Sequence, residues 1–125
     1  MAASSATLHE DPTRLGPEAI DRHRAIVSIM EELEAVDWYD QRARATDDAE
    51  LRAILEHNRD EEKEHAAMVL EWLRRHDEAL SGHLRTYLFS DGPINELEAA
   101  KTTTTPASDP ATDGSLGIGS LRGGA

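Results

Sequence analysis

A glutamate and a histidine three residues apart, Glu62 and His65, are the residues of this sequence whose types and spacing most directly indicate chemistry. On an α-helix this spacing puts both side chains on one face, one turn apart. Both can then reach the same metal ion. A mixture of carboxylate oxygen and imidazole nitrogen suits iron in both of its oxidation states. The pair therefore predicts a metal site on a helix.

Position on the helix adds weight to this match. None of the other five histidines follows a glutamate at this spacing, but a chain with fourteen glutamates and six histidines gives such a pair easily by chance. Glu62 lies seven residues before Val69, and His65 lies four before it, on the apolar stripe that should face inward. A glutamate buried there without a partner would be costly.

Glu32 has a matching place on the preceding helix, three residues after Ile29 and four before Val36. A di-iron carboxylate site in a four-helix bundle takes one Glu from each of two helices and a Glu-x-x-His from each of the other two. The chain therefore carries half of this ligand set. A second copy related by a twofold axis would supply the other half, because such an interface presents the same patch twice.

The same residues allow other interpretations. His65 could be an ordinary interface histidine. Three basic residues are candidate ion-pair partners for Glu32: Arg24, Arg59 and Lys63. Zinc is the simplest competing metal, although a carboxylate-rich set without cysteine favours iron or manganese.

Two amphipathic helices must position these ligands. Proline suits a first helical turn, so the first helix is predicted to begin at Pro17. Apolar residues then recur every three or four positions. Residues 46–48 predict a break, and Asp47 with Glu50 predicts a capping box for a second helix over about 48–78. The short connection predicts an antiparallel hairpin.

Two helices alone make a thin structure with much of the apolar stripe uncovered, and small single domains are marginally stable for this reason. The hairpin is therefore expected to dimerise into a four-helix arrangement. Ser81-Gly82 predicts the end or a kink of the second helix, and residues 85–89 a short third segment. The expected organisation is a flexible N-terminus at 1–16, a helical domain at 17–98, a disordered linker at 99–114 and a terminal peptide at 115–123.

The formal net charge of −12 makes nucleic acid an unfavourable partner, because nothing would neutralise its phosphates. An acidic surface attracts cations, although it often serves solubility alone. The chain has no cysteine, which excludes disulfides, iron–sulfur ligation and thiolate zinc sites. No stretch is long and apolar enough for a membrane span, and residues 1–14 lack the apolar run of a secretory signal. A soluble cytoplasmic protein is expected.

Three segments resemble the encapsulated ferritins: RHRAIVSIMEELEAVDWYDQR, HNRDEEKEHAAMVLEWLRR and HLRTYLFSDGPI. The C-terminal run SLGIGSLRG resembles the peptide by which such cargo docks inside encapsulin shells. The resemblance implies an all-α fold in which each chain is half of a ferritin-like four-helix bundle. It also implies a homodecamer, with dimers arranged in a ring inside an encapsulin nanocompartment of the cytoplasm.

By this resemblance, Glu32, Glu62 and His65 match the ligands of a ferroxidase centre that holds two iron ions at each dimer interface. The expected activity is oxidation of Fe²⁺ to Fe³⁺ with dioxygen, which feeds iron mineralisation in the shell. Glu31 and Glu34 match a metal entrance site at another subunit interface. Glutamates in such charge runs otherwise form a solvated face.

The resemblance assigns further residues more weakly. Those that match an outer metal site are His57, Glu61 and Glu64. Trp38 matches a residue near the entrance channel and Tyr39 one close to the ferroxidase site, although such aromatic residues also pack at interfaces. The apolar anchors of the docking peptide are Leu116, Ile118 and Leu121, on a segment whose glycines leave the backbone free to lie extended.

Three rival functions use the same residues. The first is a non-catalytic, iron-sequestering dimer carried as shell cargo, which would bind iron without turnover. The second is an interaction protein whose helices only assemble and whose assembly ignores Fe²⁺. A reversible dioxygen carrier fits poorly, because such sites are richer in histidine.

Overall fold

The computed structural model describes residues 7–104. Within this range four α-helices follow one another: α1 Pro12–Ala45, α2 Ala49–Arg75, α3 Glu78–Tyr87 and α4 Ile94–Thr104. No strand occurs in the described residues, which confirms the all-α prediction. The chain divides into two compact units, one ending at Ser81 and the other beginning at Gly82. No helix of the described part has the length and apolar character to cross a membrane.

The N-terminal end of α1 starts five residues before Pro17. The Asp11 carboxylate caps it by accepting a hydrogen bond from the backbone N–H of Thr13, at 3.0 Å. The helical backbone is then interrupted at Gly16, whose φ of 80° suits glycine, and it resumes at Pro17. The predicted flexible segment 1–16 therefore contains a helical turn, while the uninterrupted helix begins where the sequence predicts it.

Residues 46–48 connect α1 to α2. Asp48 is the N-cap of α2, and its Oδ1 accepts a hydrogen bond from the backbone N–H of Leu51 at 2.8 Å. The predicted capping box of Asp47 with Glu50 is therefore wrong by one residue. Both aspartates satisfy the preference for this position, and only the path of the backbone selects between them.

Cross-helix contacts show that α1 and α2 run antiparallel. From the loop outward, the contacting pairs are Arg52 with Ala43, Arg59 with Asp40, and His65 with Glu32. As the position on α2 moves forward, its partner on α1 moves back. The predicted antiparallel hairpin is confirmed.

The core of this hairpin is very small. Among the described residues, the buried apolar ones are Ala43, Ala66 and Leu73. Large apolar side chains on both helices remain exposed: Ile26, Leu33, Ile54 and Met68. Covering such a side chain fully is worth about 1.5–3 kcal/mol. A single copy therefore leaves apolar surface that a partner can cover.

The end of α2 lies at Arg75, before the predicted break at 81–82. Directly after it, Asp77 accepts a hydrogen bond from the backbone N–H of Leu80 at 2.9 Å and starts α3. This helix runs through Ser81-Gly82 instead of ending there. The prediction was wrong because a glycine inside a helix costs only about 1 kcal/mol, whereas a cap decides where a helix starts.

The second unit contains the rest of α3 and all of α4. Helix α3 extends over Glu78–Tyr87 and is therefore longer than the segment predicted at 85–89. A turn follows it, with Gly92 at a φ of 88°. Helix α4 extends to Thr104, into the predicted linker at 99–114. The remainder of that linker and the peptide at 115–123 lie outside the described residues.

Candidate metal centre

Glu32 of α1 converges with Glu62 and His65 of α2. One potential ligand atom of each residue lies within 4.8 Å of the other two. His65 Nδ1 is 3.2 Å from Glu62 Oε1 and 3.7 Å from Glu32 Oε1. Within residues 7–104 this is the one group of three or more such side chains that the fold brings together. Their role as metal ligands stays a prediction, but the geometry that it requires is present.

These three side chains are neither buried nor fully exposed. Their side-chain exposure is 27% for Glu32, 24% for Glu62 and 47% for His65. Helical spacing brings Glu62 and His65 together, and the antiparallel pairing brings Glu32 to them. The ligand atoms therefore stay reachable from solvent and from a second copy of the chain.

Hydrogen bonds and charges within the cluster shift the pKa values of all three groups. The pKa of Glu32 is raised, first by its hydrogen bond with Glu62 and then by partial burial. The pKa of Glu62 is lowered because its carboxylate accepts hydrogen bonds from Glu32 and His65. The pKa of His65 is raised, chiefly by the hydrogen bond to Glu62. A metal ion that binds these groups needs their unprotonated forms, so protons compete with it at Glu32 and His65.

The basic residues that could have paired with Glu32 are engaged elsewhere. Arg24 pairs with Asp21 at 2.8 Å, and Lys63 lies 3.3 Å from Asp60. The partners of Arg59 are Asp40 and Asp60, each at 3.0 Å. The ion-pair interpretation of Glu32 is therefore wrong. Its charged neighbours are the other two members of the cluster.

The face that carries the three candidate ligands continues as an apolar groove toward the open end of the hairpin. A cavity of about 490 Å³ is lined by Asp21, Ala25, Met68, Val69 and Trp72. Residues 68, 69 and 72 follow His65 at helical spacing, so they lie on the same side of α2. The face that carries the candidate ligands is thus also a face with apolar surface left uncovered.

Several other predicted residues are not brought into such a group by a single chain. Glu31 is exposed and Glu34 half-buried on α1. The residues of the predicted outer site are exposed on α2: His57, Glu61 and Glu64. In the part of the chain that the structure describes, none of them joins two other potential ligands within 4.8 Å. Their predicted roles as metal-binding residues stay predictions.

Trp38 and Tyr39 share a partner that the sequence interpretation did not single out. The Arg42 guanidinium carbon lies 5.9 Å from the centroid of the Trp38 ring and 5.6 Å from that of Tyr39. A cation at this distance from an aromatic face is attracted by it. This contact could have been predicted from the sequence, because Arg42 follows Trp38 by four residues and Tyr39 by three, which places it on the same helix face as each of them.

The fold and the site define a class of protein: a helical hairpin that presents one Glu and one Glu-x-x-His on an uncovered face, as half of a four-helix di-iron site does. A family model described as EncFtn-like matches residues 7–91. The chain belongs to this EncFtn-like family, which confirms the resemblance to the encapsulated ferritins.

Relatives extend the match to nearly the whole chain. An encapsulated ferritin-like protein of Rhodospirillum rubrum is 61% identical over 130 residues, covering 98% of this chain and 93% of that protein. An encapsulin nanocompartment cargo protein of Myxococcus xanthus, EncC, is 34% identical over 104 residues, covering 77% and 80%. A crystal structure of a Nitrosomonas europaea protein is 59% identical with a TM-score of 0.67, covering 70% of this chain and 96% of that one.

Proposed function

We propose that this protein is a ferroxidase that oxidises its substrate Fe²⁺ to Fe³⁺ with dioxygen, at a di-iron centre formed between two copies of the chain. The observation that carries the proposal is the convergence of Glu32, Glu62 and His65 on an uncovered face. One chain supplies two carboxylates and one imidazole. A twofold pair supplies four carboxylates and two imidazoles, the set that two iron ions require.

The main contribution of the protein to this reaction would be to position the two iron ions. Each of two Fe²⁺ ions gives up one electron, and dioxygen accepts the electron pair together with two protons. The carboxylates attract Fe²⁺ and stabilise the higher charge of Fe³⁺, and His65 adds a nitrogen ligand. Partial exposure of all three side chains leaves room for open coordination positions and for release of the product.

The names of two relatives indicate where in the cell this activity would take place. One is named an encapsulated ferritin-like protein and another an encapsulin nanocompartment cargo protein. These names support association with an encapsulin shell. We further propose that the chain assembles as dimers in a decameric ring within such a shell in the cytoplasm, and that Fe³⁺ mineralises there. The peptide at 115–123 would dock the ring through Leu116, Ile118 and Leu121.

Further metal sites are proposed outside the di-iron centre. Glu31 and Glu34 would form the entrance site, beside Trp38, and Tyr39 would lie near the di-iron centre. The proposed outer site consists of His57, Glu61 and Glu64. All of these except Glu34 and Tyr39 are exposed in the single chain, as residues that meet a neighbouring copy or solvent should be.

Stopped-flow measurement of oxygen-dependent Fe²⁺ oxidation tests the proposal. Alanine at Glu32, Glu62 or His65 should slow the reaction at least about tenfold, because each removes a ligand from both halves of the centre. Glu56→Ala is the matched control, since Glu56 is a glutamate of α2 outside the cluster. Unchanged rates in all three ligand variants would overturn the assignment. Oxidation that stops at one equivalent per site would favour the non-catalytic iron-sequestering function instead.

A further inference from the structure

We propose that the ion pair between Asp40 and Arg59 is a positioning element: it sets the axial register of α1 against α2 and thereby the distance from Glu32 to Glu62 and His65. The inference rests on the proposed function, because it concerns the same centre. Arg59 Nη1 lies 3.0 Å from Asp40 Oδ1 and joins the two helices directly.

The hairpin needs such an element because its packing is weak. Two of the three buried apolar residues among those described are alanines, whose small side chains interlock poorly across an interface. Sliding one helix by a single residue moves a ligand by about 1.5 Å, and sliding by a turn moves it by about 5.4 Å. A metal centre tolerates displacements of only about 0.5 Å. A directional contact between the helices must supply what the core does not.

The contacts around Arg59 make it suited to this task. Its Nε donates to Asp60 Oδ1 at 3.0 Å, while its Nη1 donates to Asp40, so the planar guanidinium is held at two points. The other oxygen of Asp40 lies 3.5 Å from Arg44 Nε. Side-chain exposure is 21% for Arg59 and 39% for Asp40, so solvent screens the pair less than a fully exposed one.

The other cross-helix polar contacts serve different purposes. The Arg52 guanidinium donates to the main-chain oxygens of Ala43 and Thr46 and so secures the loop. The contact of His65 with Glu32 belongs to the metal cluster and must rearrange when an ion binds. The Asp40–Arg59 pair lies between these two, and Arg59 precedes Glu62 by one helical turn.

A double-mutant cycle on the full-length protein tests the pair. Asp40→Asn and Arg59→Gln should each raise the KM for Fe²⁺ about threefold to tenfold, with kcat changed less, because bound ions draw the ligands back together. The KM of the double variant should rise by less than the product of the single effects, since both substitutions remove the shared Asp40–Arg59 contact. Arg24→Gln, in an intrahelical pair that is 73% exposed on the arginine side, should leave both constants unchanged.

Register can also be measured without iron, because the chain has no cysteine of its own. Nitroxide labels at Glu18→Cys and Ala53→Cys lie on exposed positions at opposite ends of the hairpin, so axial sliding changes their separation directly. Labelled chains diluted with unlabelled chains report the distance within one chain by pulsed electron paramagnetic resonance. Arg59→Gln should broaden this distance distribution, and Arg24→Gln should not.

These measurements separate the two proposals. A distance distribution that keeps its width in Arg59→Gln, or a double variant whose KM rises by the product of the single effects, overturns the positioning role. If the unsubstituted protein fails to oxidise Fe²⁺, the proposed function fails. The positioning role then stands or falls on the distance distribution alone.

Discussion

Two groups of carboxylates on the same hairpin differ in what neutralises them. Asp40 and Asp60 are held by Arg59, and their pKa values are lowered, first of all by its hydrogen bonds. Glu32 and Glu62 have no lysine or arginine within ion-pair distance in the described chain. The pKa of Glu32 is raised instead, because its nearest partner is another carboxyl group.

The difference separates carboxylates that stabilise the structure through ion pairs from carboxylates that remain available to bind a cation. A paired carboxylate has its charge satisfied by a fixed side chain and has little to offer a metal ion. Among the described residues, Glu32 and Glu62 have only each other and His65 as charged neighbours, and the raised pKa of Glu32 shows that its charge is disfavoured until a cation binds. Composition alone cannot make this distinction, because it gives only the total of 25 acidic residues and not their partners.

The largest expected effect comes from replacing one of the two candidate metal-binding glutamates by a basic residue, which gives the other an ion-pair partner. Glu62→Lys places a cation beside Glu32 and removes a ligand, so Fe²⁺ oxidation should fall at least about a hundredfold. Stopped-flow oxidation measures the loss, and circular dichroism should show the helices intact. Glu56→Lys, on the same helix, controls for the added charge and should keep its activity. A variant at Glu62 that oxidises Fe²⁺ within twofold of the original rate would contradict the distinction.

A smaller effect is expected from pH. The pKa of His65 lies above its ordinary value of 6.5 and that of Glu32 above 4.5, so protons compete with a metal at both groups. Affinity for Co²⁺, measured without dioxygen, should therefore fall as pH is lowered through the pKa of His65. Calorimetry in two buffers of different ionisation enthalpy should detect proton release on binding. His65→Ala should flatten the dependence, and an affinity that ignores pH in the unsubstituted protein would count against the cluster as a metal site.

The smallest effect concerns a third carboxylate, Glu71, which forms ion pairs with basic residues as Asp40 and Asp60 do. Glu71 bonds both Arg74 and Arg75, each at 2.7 Å, and these bonds lower its pKa from 4.5 to about 2. A lowered folded-state pKa adds stability above the ordinary pKa, and this stability is lost as pH falls from about 4.5 to about 2. Thermal unfolding should show Glu71→Gln slightly less stable at neutral pH, with the difference gone at the acid end. Glu78→Gln serves as the control, and a difference that persists at the acid end would show that the charge of Glu71 is not its cause.

The local pattern predicted the hairpin well because helices are local structures. Apolar spacing placed both long helices, and Pro17 begins the uninterrupted part of α1. Errors arose at the ends of helices, where more than one boundary was compatible with the residue types. Asp48 rather than Asp47 caps α2, and Asp77 starts a helix that runs through Ser81-Gly82. In each case the choice depends on the backbone path, which residue types do not encode one at a time.

The sequence predicted which residue types share a helix face at the candidate site. It did not predict which side chains surround them. Helical spacing alone places Glu62 with His65. It does not say whether Arg59 turns toward Glu32 or toward Asp40, since both lie on α1 at positions that α2 could face. The same uncertainty hid the Asp40–Arg59 contact.

The order of residues along this chain determined which side chains share a helix face, because the period of the helix is set by the backbone and holds in any fold. It thus supplied one Glu, one Glu-x-x-His and an apolar stripe too wide for one copy. Only the tertiary structure decided which faces meet, because the register between two helices depends on contacts distant in sequence. That register leaves Glu32 beside Glu62 and His65, with Arg59 bound to Asp40 instead.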